Sequence, residues 1–582
     1  MSTLQGLDLI DFTGGVNLRA NQFQVADNES PRMLNVEIEP GRGFFTRKGW
    51  ERWNEADVVD PALWDPRSTE INLLSDGGFQ VYVTNDEAGG NIYAAGDDGI
   101  FTSLGVACDA SPHLADFAPW GDTMYIVCGT GESHKRFHTD APVGLIDAST
   151  SWNPNYTTPT HGKMPMAEHV QAHASYIFVA GTTELGDDPG SHPNRIRWSH
   201  PDEPEDWAAD DFLDIETGGG EITALRSFQD HLLIFKTDSL WALYGYDLES
   251  WQLVRVSRAI GAPAPTSVAQ SESITYFFSA SGRAGIYAYD GNSVSEISVP
   301  LRPVAEGILP TRIRDVWLGF VCHRLWCSVP WAMDDPANGN TIGVFDPDIG
   351  DGVWVAHRPA LGSMRSIIEG SDIGGECALA VLHVPAFVDP DPGNPTPEED
   401  PDRSHPGAAC LVRLEMLPAA VDIILEDMSE TPFYAEYRTN WKHLGKPELR
   451  KSFLRTRFLA PRQETDTELR LDIYWDYDTT VVRRSLHGVV IRAGTQVFWR
   501  ELGFDSPLPG GFDFKELGKA DPSGRGADFG VAPGGAMLGR TNLSLGVCRA
   551  VQLHFSTVGT EAGKPWGFDG IFMKVRERRF TT

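Results

Sequence analysis

The sequence is short of positive charge. Lys and Arg together number 48 against 81 Asp and Glu, so the 582-residue chain has a formal net charge of −33. A general binder of duplex DNA needs a positive surface to displace the counterions of the phosphates. Docking to an anionic membrane surface needs basic clusters. The deficit argues against both classes and fits either a channel wall that repels phosphate or a well-solvated surface.

Cysteine is scarce, and long apolar runs are missing. The seven cysteines are irregularly spaced, so no disulfide framework is expected and the chain is typical of a reducing cytoplasm. The N-terminal residues show neither the basic nor the apolar region of a signal peptide. No stretch approaches the roughly 20 apolar residues of a membrane span, so we expect no membrane insertion.

Catalytic signatures are missing as well: there is no G-x-S-x-G, H-E-x-x-H, P-loop or C-x-x-C motif. Cys322 and Cys327 flank a histidine, but buried structural thiols are the preferred interpretation. An acidic turn could hold calcium, although a plain turn is the simpler interpretation. Its carboxylates are Asp346, Asp348 and Asp351. We therefore expect no enzyme activity, no cofactor and no metal ion.

Short strand-like runs recur between about residue 70 and residue 415. The clearest unit covers residues 222–256, where Gln229-Asp230 and Thr237-Asp238 separate apolar runs at hairpin spacing. Units of about 40–50 residues with up to four strands predict the blades of a β-propeller, because stacking covers sheets too small to bury their own faces. We expect about six to eight blades, the alternative being an irregular array of β-sandwiches.

The predicted fold class is all-β, in three regions. Residues 1–60 are polar and turn-rich, and we expect an extended N-terminal assembly arm. The propeller is placed at residues 61–415, with a Pro/Asp-rich insertion at 388–407 as an exposed loop. Runs of period-two alternation in residues 416–582 predict a C-terminal β-sandwich-like domain with one face of its strands in water.

Two basic stretches are candidate assembly contacts in this acidic chain. Each could meet an acidic surface of a neighbouring subunit, or form an ordinary exposed turn. The candidates are Arg42, Arg47, Lys48 and Arg52 near the N-terminus and Arg576, Arg578 and Arg579 near the C-terminus.

Several segments resemble the β-propeller tail proteins of tailed bacteriophages. They include a Gly-Gly-Val-Asn turn, an Asn-Glu-Ser…Asn-Val segment and an Arg-Lys-Gly segment near the N-terminus. The segments that carry the resemblance are residues 11–19, 25–36, 43–49, 195–207, 220–245, 565–569 and 576–579. The family includes the nozzle (tail tubular protein B) of short-tailed phages and the propeller-bearing minor tail proteins of long-tailed phages.

The resemblance implies a non-enzymatic subunit of a tail nozzle, hub or tip, made in the host cytoplasm and located in the virion. It further implies a ring around the tail axis, hexameric as in the nozzle, that contacts other tail or connector proteins. Viral DNA would pass through this ring without specific binding.

Two other functions fit the residues. One is a carbohydrate-binding or glycan-degrading propeller that contacts the host envelope, with paired carboxylates for hydrolysis and tryptophans for stacking on sugars. The tryptophans considered for stacking are Trp198, Trp207, Trp241 and Trp251. The other is a cytoplasmic scaffold built on a propeller.

Overall fold

Strands dominate the part of the chain that the structure describes, which confirms the predicted all-β class. The computed structural model describes residues 4–19, 24–41, 43–54, 66–85, 91–96, 99–107, 115–129, 135–138, 146–147, 164–184, 190–208, 210–216, 218, 220–328, 341–369, 379–384, 408–417, 421–425, 430–444, 448–460, 467–490, 497–501, 544–557 and 565–577. The helices in these ranges are α1 (Arg302–Ala305) and the 3-10 turns Pro265–Ser267, Val299–Leu301 and Pro310–Asp315. None of them is long and apolar enough to cross a membrane.

The N-terminal segment contributes seven short strands. They are β1 (Leu4–Leu9), β2 (Gly15–Val16), β3 (Glu29–Ser30), β4 (Arg32–Leu34), β5 (Val36–Glu39), β6 (Gly43–Thr46) and β7 (Gly49–Arg52). β2 and β3 pair with each other in parallel. Most of the others join sheets that later parts of the chain form.

Six four-stranded sheets follow, and in each the strands pair antiparallel in sequence order. Blade 1 consists of β8 (Pro66–Leu73), β9 (Phe79–Asn85), β10 (Asn91–Ala95) and β11 (Thr102–Ala107). Blade 2 consists of β12 (Asp116–Trp120), β13 (Thr123–Val127), β14 (Lys135–His138) and β15 (Ile146–Asp147). Blade 3 consists of β16 (His169–His173), β17 (Tyr176–Glu184), β18 (Gly190–Trp198) and β19 (Phe212–Asp214). Blade 4 consists of β20 (Ile222–Phe228), β21 (His231–Lys236), β22 (Leu240–Tyr244) and β23 (Gln252–Ser257). Blade 5 consists of β24 (Val268–Gln270), β25 (Thr275–Ser279), β26 (Gly285–Tyr289) and β27 (Val294–Glu296). Blade 6 consists of β28 (Trp317–Val321), β29 (Arg324–Ser328), β30 (Ile342–Asp346) and β31 (Val353–His357).

Blade 7 combines strands from distant parts of the sequence. Its first three strands are β32 (Ser363–Ile368), β33 (Leu379–Val384) and β34 (Ala408–Leu417). The fourth is β7, which lies antiparallel to β34 with Glu51 opposite Arg413. Two further strands, β35 (Val421–Ile423) and β36 (Glu430–Pro432), extend this sheet. The N-terminal segment therefore supplies the fourth strand of the last blade.

The seven sheets form a closed ring. The first strands of most neighbouring blades pack side by side, and β32 of blade 7 returns to β8 of blade 1. Blades 4 and 5 share a hydrophobic core. At this closure Ile368 and Leu379 of blade 7 pack with Ile71 and Val81 of blade 1, so each blade covers the face that its neighbour cannot bury alone. The predicted β-propeller of six to eight blades is confirmed, and the strands that the structure describes form seven blades.

The local sequence explains why blade 4 is the clearest unit. All six residues of β21 are buried, as the continuous apolar run between polar breaks indicates. Phe228 pairs with His231 across a two-residue turn, where Gln229 has a φ of 47°. This left-handed backbone is the conformation that tight hairpins require, so the predicted break is a hairpin turn.

Two larger sheets and a small one form the C-terminal region. Its strands are β37 (Glu436–Arg438), β38 (Lys451–Leu459), β39 (Thr467–Trp475), β40 (Arg484–Val490), β41 (Val497–Glu501), β42 (Gly546–Cys548), β43 (Val551–Thr557), β44 (Gly567–Phe568) and β45 (Gly570–Glu577). The strand orders are β1-β45-β38-β42, β4-β37-β43-β39-β40-β41 and β44-β6-β5. Phe453, Leu471, Phe555 and Met573 belong to the shared core, as in the predicted sandwich.

The N-terminal segment differs from its predicted form. We expect an extended assembly arm over residues 1–60, yet β1 pairs with β45, β4 with β37 and β6 with β44. Its apolar side chains, Phe12 and Phe44 among them, lie in the core that also contains blade 6. The described part of this segment is therefore built into both regions of its own chain. The Pro/Asp-rich insertion at 388–407 lies outside the described residues.

The cysteines only partly follow the expectation. Cys128 is disulfide-bonded, a bond that the irregular spacing of the cysteines does not predict. Cys322, Cys327, Cys410 and Cys548 are not disulfide-bonded. Cys327 is buried, and burial raises the pKa of its thiol to about 12, which makes it the inert structural thiol expected. Cys322, in contrast, is exposed in the turn between β28 and β29.

Candidate functional site

The innermost strands of the propeller bring together four charged side chains, which we call the axial cluster. Glu70 lies on β8 of blade 1, Asp116 on β12 of blade 2 and Arg226 on β20 of blade 4. Glu369 directly follows β32 of blade 7. Their positions are far apart in sequence, and only the closure of the ring brings them together.

Asp116 connects blades 2, 3 and 4 within this cluster. Its Oδ2 accepts a hydrogen bond of 3.2 Å from the backbone N–H of Val170 and lies 3.6 Å from His169 Nδ1. Its Oδ1 lies 3.9 Å from Nη1 of Arg226. Arg226 also donates from Nη2 to the carbonyl oxygen of Pro265 at 3.0 Å. The guanidinium of Arg226 on blade 4 therefore interacts with the carboxylate of Asp116 on blade 2, although these two blades are not neighbours.

Glu369 connects blades 5, 6 and 7. Its Oε1 accepts hydrogen bonds from the backbone N–H groups of Gln270, at 3.0 Å, and Phe320, at 3.1 Å. Gln270 in turn donates from its side chain to the carbonyl oxygen of Ser227 at 2.5 Å. These bonds join the inner strands of four blades, which identifies Glu369 as a structural crosslink at the axis.

Two carboxyl groups of the axial cluster hold protons unusually well. Burial raises the pKa of Glu70 to about 8, with Glu369 and Asp116 adding to the increase and Arg226 opposing it. Burial likewise raises the pKa of Glu369 to about 7, again against Arg226. A carboxyl group in low dielectric surroundings favours its neutral form. The cluster can thus store a proton near neutral pH, a property shared by catalytic and by purely structural sites.

The acidic turn considered for calcium binding takes part in the hydrogen bonds and ion pairs of the fold. Asp346 forms an ion pair with Arg324 at 3.2 Å and accepts the backbone N–H of Asp348 at 3.0 Å, as in a plain turn. Among the residues that the structure describes, no three His, Cys, Asp or Glu side chains are arranged to hold a metal ion.

The tryptophans considered for sugar stacking are packed between strands. Trp198, Trp207 and Trp241 are buried. Trp251 is partly buried and meets Trp198 edge to face, with ring centroids 4.7 Å apart. The faces of these rings contact protein, which is the usual role of large aromatic residues in a core.

The structure separates the predicted assembly residues into buried and exposed groups. Arg47 and Arg52 are buried, at 1% and 6% exposure, so the prediction of an exposed contact is wrong for both. Lys48 and Arg576 are exposed. The remaining candidates, Arg42, Arg578 and Arg579, lie outside the described residues.

Arg47 holds the N-terminal segment against blade 7. Its guanidinium donates to both carboxylate oxygens of Asp422, at 2.9 and 2.7 Å. It lies over the ring of Trp50 at 4.0 Å and the ring of Phe433 at 3.8 Å, and Nε donates to Asn35 at 3.0 Å. Such a bidentate, stacked arginine is fully used within its own chain.

Arg576 belongs to a larger group of cations, which we call the basic face. Lys574 and Arg576 point outward from β45, while Met573 and Val575 point into the core. Arg455 lies directly opposite Lys574 on β38. The four exposed cations of this face are Arg455, Arg457, Lys574 and Arg576.

Few acids balance the basic face. Asp8 is the one acid on the outward side of the described strands β1, β45 and β38, where it is exposed opposite Phe572. Within the described ranges Arg455, Lys574 and Arg576 form no ion pair. Like charges directly across neighbouring strands destabilise a sheet. Sequence reasoning finds Arg576 but misses Arg455 and Arg457, because only the strand register shows that the two basic runs are adjacent.

Comparisons with known proteins assign no family to this chain. No protein-family model matches the chain, and neither does any curated protein. Among solved structures, YCF48 from Cyanidioschyzon merolae is similar at 12% identity and a TM-score of 0.26, over 48% of this chain and 95% of that one. The Pan2 WD40 domain of Neurospora crassa is similar at 9% identity and a TM-score of 0.35, over 60% of this chain and 94% of that one. No functional conclusion is drawn from either.

Proposed function

We propose that this chain is a structural subunit of a bacteriophage tail, in the nozzle, hub or tip. Copies of it would assemble as a ring around the tail axis, contact other tail or connector proteins and form part of the DNA-ejection channel. The protein would act by its shape and charge, without catalysis. The observation that carries the proposal is the basic face, a solvent-exposed cationic surface on a chain whose net charge is −33.

Two of the segments that carry the sequence resemblance pair with each other, which supports a structural function. The segment around β6, near the N-terminus, pairs with β44, near the C-terminus. Gly43 has a φ of 109°, and a Cβ at this position would collide with the carbonyl oxygen of Phe568. Both ends of the sequence are thus required to build one small sheet between the propeller and the sandwich.

A DNA channel would have to run through the centre of the ring of subunits. Asp116 and Arg226, from blades 2 and 4, approach within 3.9 Å, and we place the channel between subunits and not within one propeller. The large acidic surplus would repel phosphate from the wall of a ring lumen and keep the passage free of tight contacts.

The test is to image the purified chain, and particles that contain it, by electron microscopy at low ionic strength. The proposal predicts a closed ring with an open lumen on the tail axis, and no hydrolysis of envelope glycans. A protein that stays monomeric at every concentration and is missing from particles would contradict it. Glycan binding by that monomer would support the carbohydrate alternative instead.

A further inference from the structure

A second surface, on blade 4, carries the charge opposite to that of the basic face. The loop between β22 and β23 carries two of the most exposed apolar side chains in the described chain, Tyr246 at 68% and Leu248 at 52%. Asp247 and Glu249 alternate with them and are also exposed. We call residues 246–249 the acidic loop. Exposed apolar residues framed by charge are typical of a contact surface.

The acidic loop is held in one conformation by its own hydrogen bonds. Ser250 Oγ accepts the backbone N–H groups of Tyr246, at 3.1 Å, and Asp247, at 3.2 Å. The N–H of Ser250 donates to Asp247 Oδ1 at 2.9 Å. Gly245 has a φ of 111°, and a Cβ there would lie 2.7 Å from the carbonyl oxygen of Ser250. A preformed loop loses little conformational entropy when it binds.

Further acids lie on the same side of the molecule as the acidic loop. Burial raises the pKa of the Tyr176 hydroxyl, and Asp247, Asp211 and Asp202 all add to the increase. These acids come from the loops of blades 3 and 4, so the negative potential extends beyond the loop itself.

The basic face has apolar side chains that match those of the loop. A β-bulge between Phe453 and Arg455 turns both Leu454 and Arg455 outward, so one extra side chain joins the surface. Leu454 and Leu459 are each 38% exposed, and Ile10 is 58% exposed. Leu459 lies opposite Gly570, and a Cβ on Gly570 would lie 3.2 Å from Ile10. Cations and apolar groups thus share one continuous surface.

We propose that the acidic loop of one copy docks on the basic face of the next copy. The proposal rests on the proposed ring function and names the two surfaces that form its contact. A second copy is the partner of choice because the chain itself carries both charge signs with apolar centres on both surfaces, and electrostatic complementarity selects partners. Since the two surfaces differ, the contact is head-to-tail, which is the kind that generates rings when the rotation closes.

The test uses sedimentation velocity of the full chain and two charge-reversed variants at low ionic strength. One variant carries Arg455→Glu and Lys574→Glu. The other carries Asp202→Lys and Glu249→Lys, which leaves the hydrogen bond to Asp247 in place. Each variant alone brings like charges together at the contact, so we expect self-association at least about 100-fold weaker. An equimolar mixture restores opposite charges at every contact and is expected to assemble like the unmodified chain.

A matched control carries Arg258→Glu and Arg283→Glu, two exposed cations that belong to neither surface. It changes the net charge as much as the basic-face variant and is expected to assemble normally. Far-UV circular dichroism and thermal unfolding confirm that all variants fold. In about 1 M salt, where the Debye length falls to about 3 Å, association of the unmodified chain should weaken.

The outcomes separate the two proposals. If the unmodified chain forms rings that both reversed variants also form, this contact is overturned while the ring function stands. If each variant alone is monomeric and the equimolar mixture also fails to assemble, the two surfaces do not contact each other and the proposed pairing is overturned. If the unmodified chain never associates, both proposals fail. If reversal of the basic face abolishes binding of a labelled DNA duplex but leaves assembly unchanged, that face binds nucleic acid and the contact is overturned.

Discussion

Two basic regions of the molecule are alike in sequence and opposite in role. Arg47 lies in a short basic stretch near one end of the chain, and Arg576 lies in another near the other end. Arg47 is buried against Asp422, 375 residues later in the sequence, whereas Arg576 extends into solvent beside other cations. The difference shows that a basic run in the sequence does not indicate whether its side chains are exposed, because the acid that pairs with a buried cation can come from a distant strand.

Loss of the buried arginine should have the largest effect. Replacing Arg47 with Met leaves the carboxylate of Asp422 buried without its partner, so we expect the free energy of unfolding to fall by about 3–5 kcal/mol. Chemical denaturation of the variant and the unmodified chain measures this loss.

The matched double variant, Arg47→Met with Asp422→Leu, sharpens the comparison. It removes both charges, so it should lose clearly less stability than Arg47→Met alone. A loss of less than about 1 kcal/mol for the single variant would mean that the pair behaves like a surface ion pair, and would remove the contrast with the basic face.

The pH dependence of stability compares two partly buried glutamates, Glu70 and Glu37, whose pKa values shift in opposite directions. Burial raises the pKa of Glu70 from 4.5 to about 8, so the folded chain binds more protons than the unfolded chain between these values. The unfolding free energy should therefore fall as pH rises through this range. Replacing Glu70 with Gln should flatten the fall, which thermal unfolding at several pH values measures.

Glu37 provides the opposite case. Burial disfavours its charge, but His357 at 2.9 Å and Arg324 at 3.0 Å outweigh burial and lower its pKa to about 2. Its contribution to stability is fully present above pH 4.5 and is lost as pH falls towards 2. Replacing Glu37 with Gln should therefore reduce the acid sensitivity of folding and leave the alkaline fall unchanged. An unaltered acid limb would contradict the role of this ion pair.

Neutralising the basic face should have the smallest effect on stability. Arg455 and Lys574 lie opposite each other and repel, so Arg455→Ser combined with Lys574→Ser should change the unfolding free energy by no more than about 0.5 kcal/mol. The same change should weaken self-association strongly. A large loss of stability with unchanged association would show that these cations serve the fold, as Arg47 does.

The sequence predicts the fold best where the apolar pattern is local. Blade 4 is recognisable because its four strands are close together and separated by polar turns, and the hairpin at Gln229 confirms the pattern. The closing strand β7 is not recognisable, because its partner β34 lies more than 350 residues away. A polar segment such as residues 1–60 gives no local signal of pairing, so an arm is predicted where strands exist.

The candidate sites are less predictable than the fold for the same reason. The axial cluster takes Glu70, Asp116, Arg226 and Glu369 from four different blades, and no spacing in the sequence links them. The basic face becomes visible only when the register places Arg455 opposite Lys574. Its C-terminal half, around Arg576, is recognisable because a basic run is unusual in a chain with a net charge of −33.

The most direct test of the central claim is electron cryomicroscopy of the purified chain at low ionic strength. We predict a closed ring in which the acidic loop around Tyr246 lies against Arg455 and Lys574 of the next subunit. A ring built through other surfaces would contradict the assigned contact, and a population of monomers alone would contradict the proposed function itself.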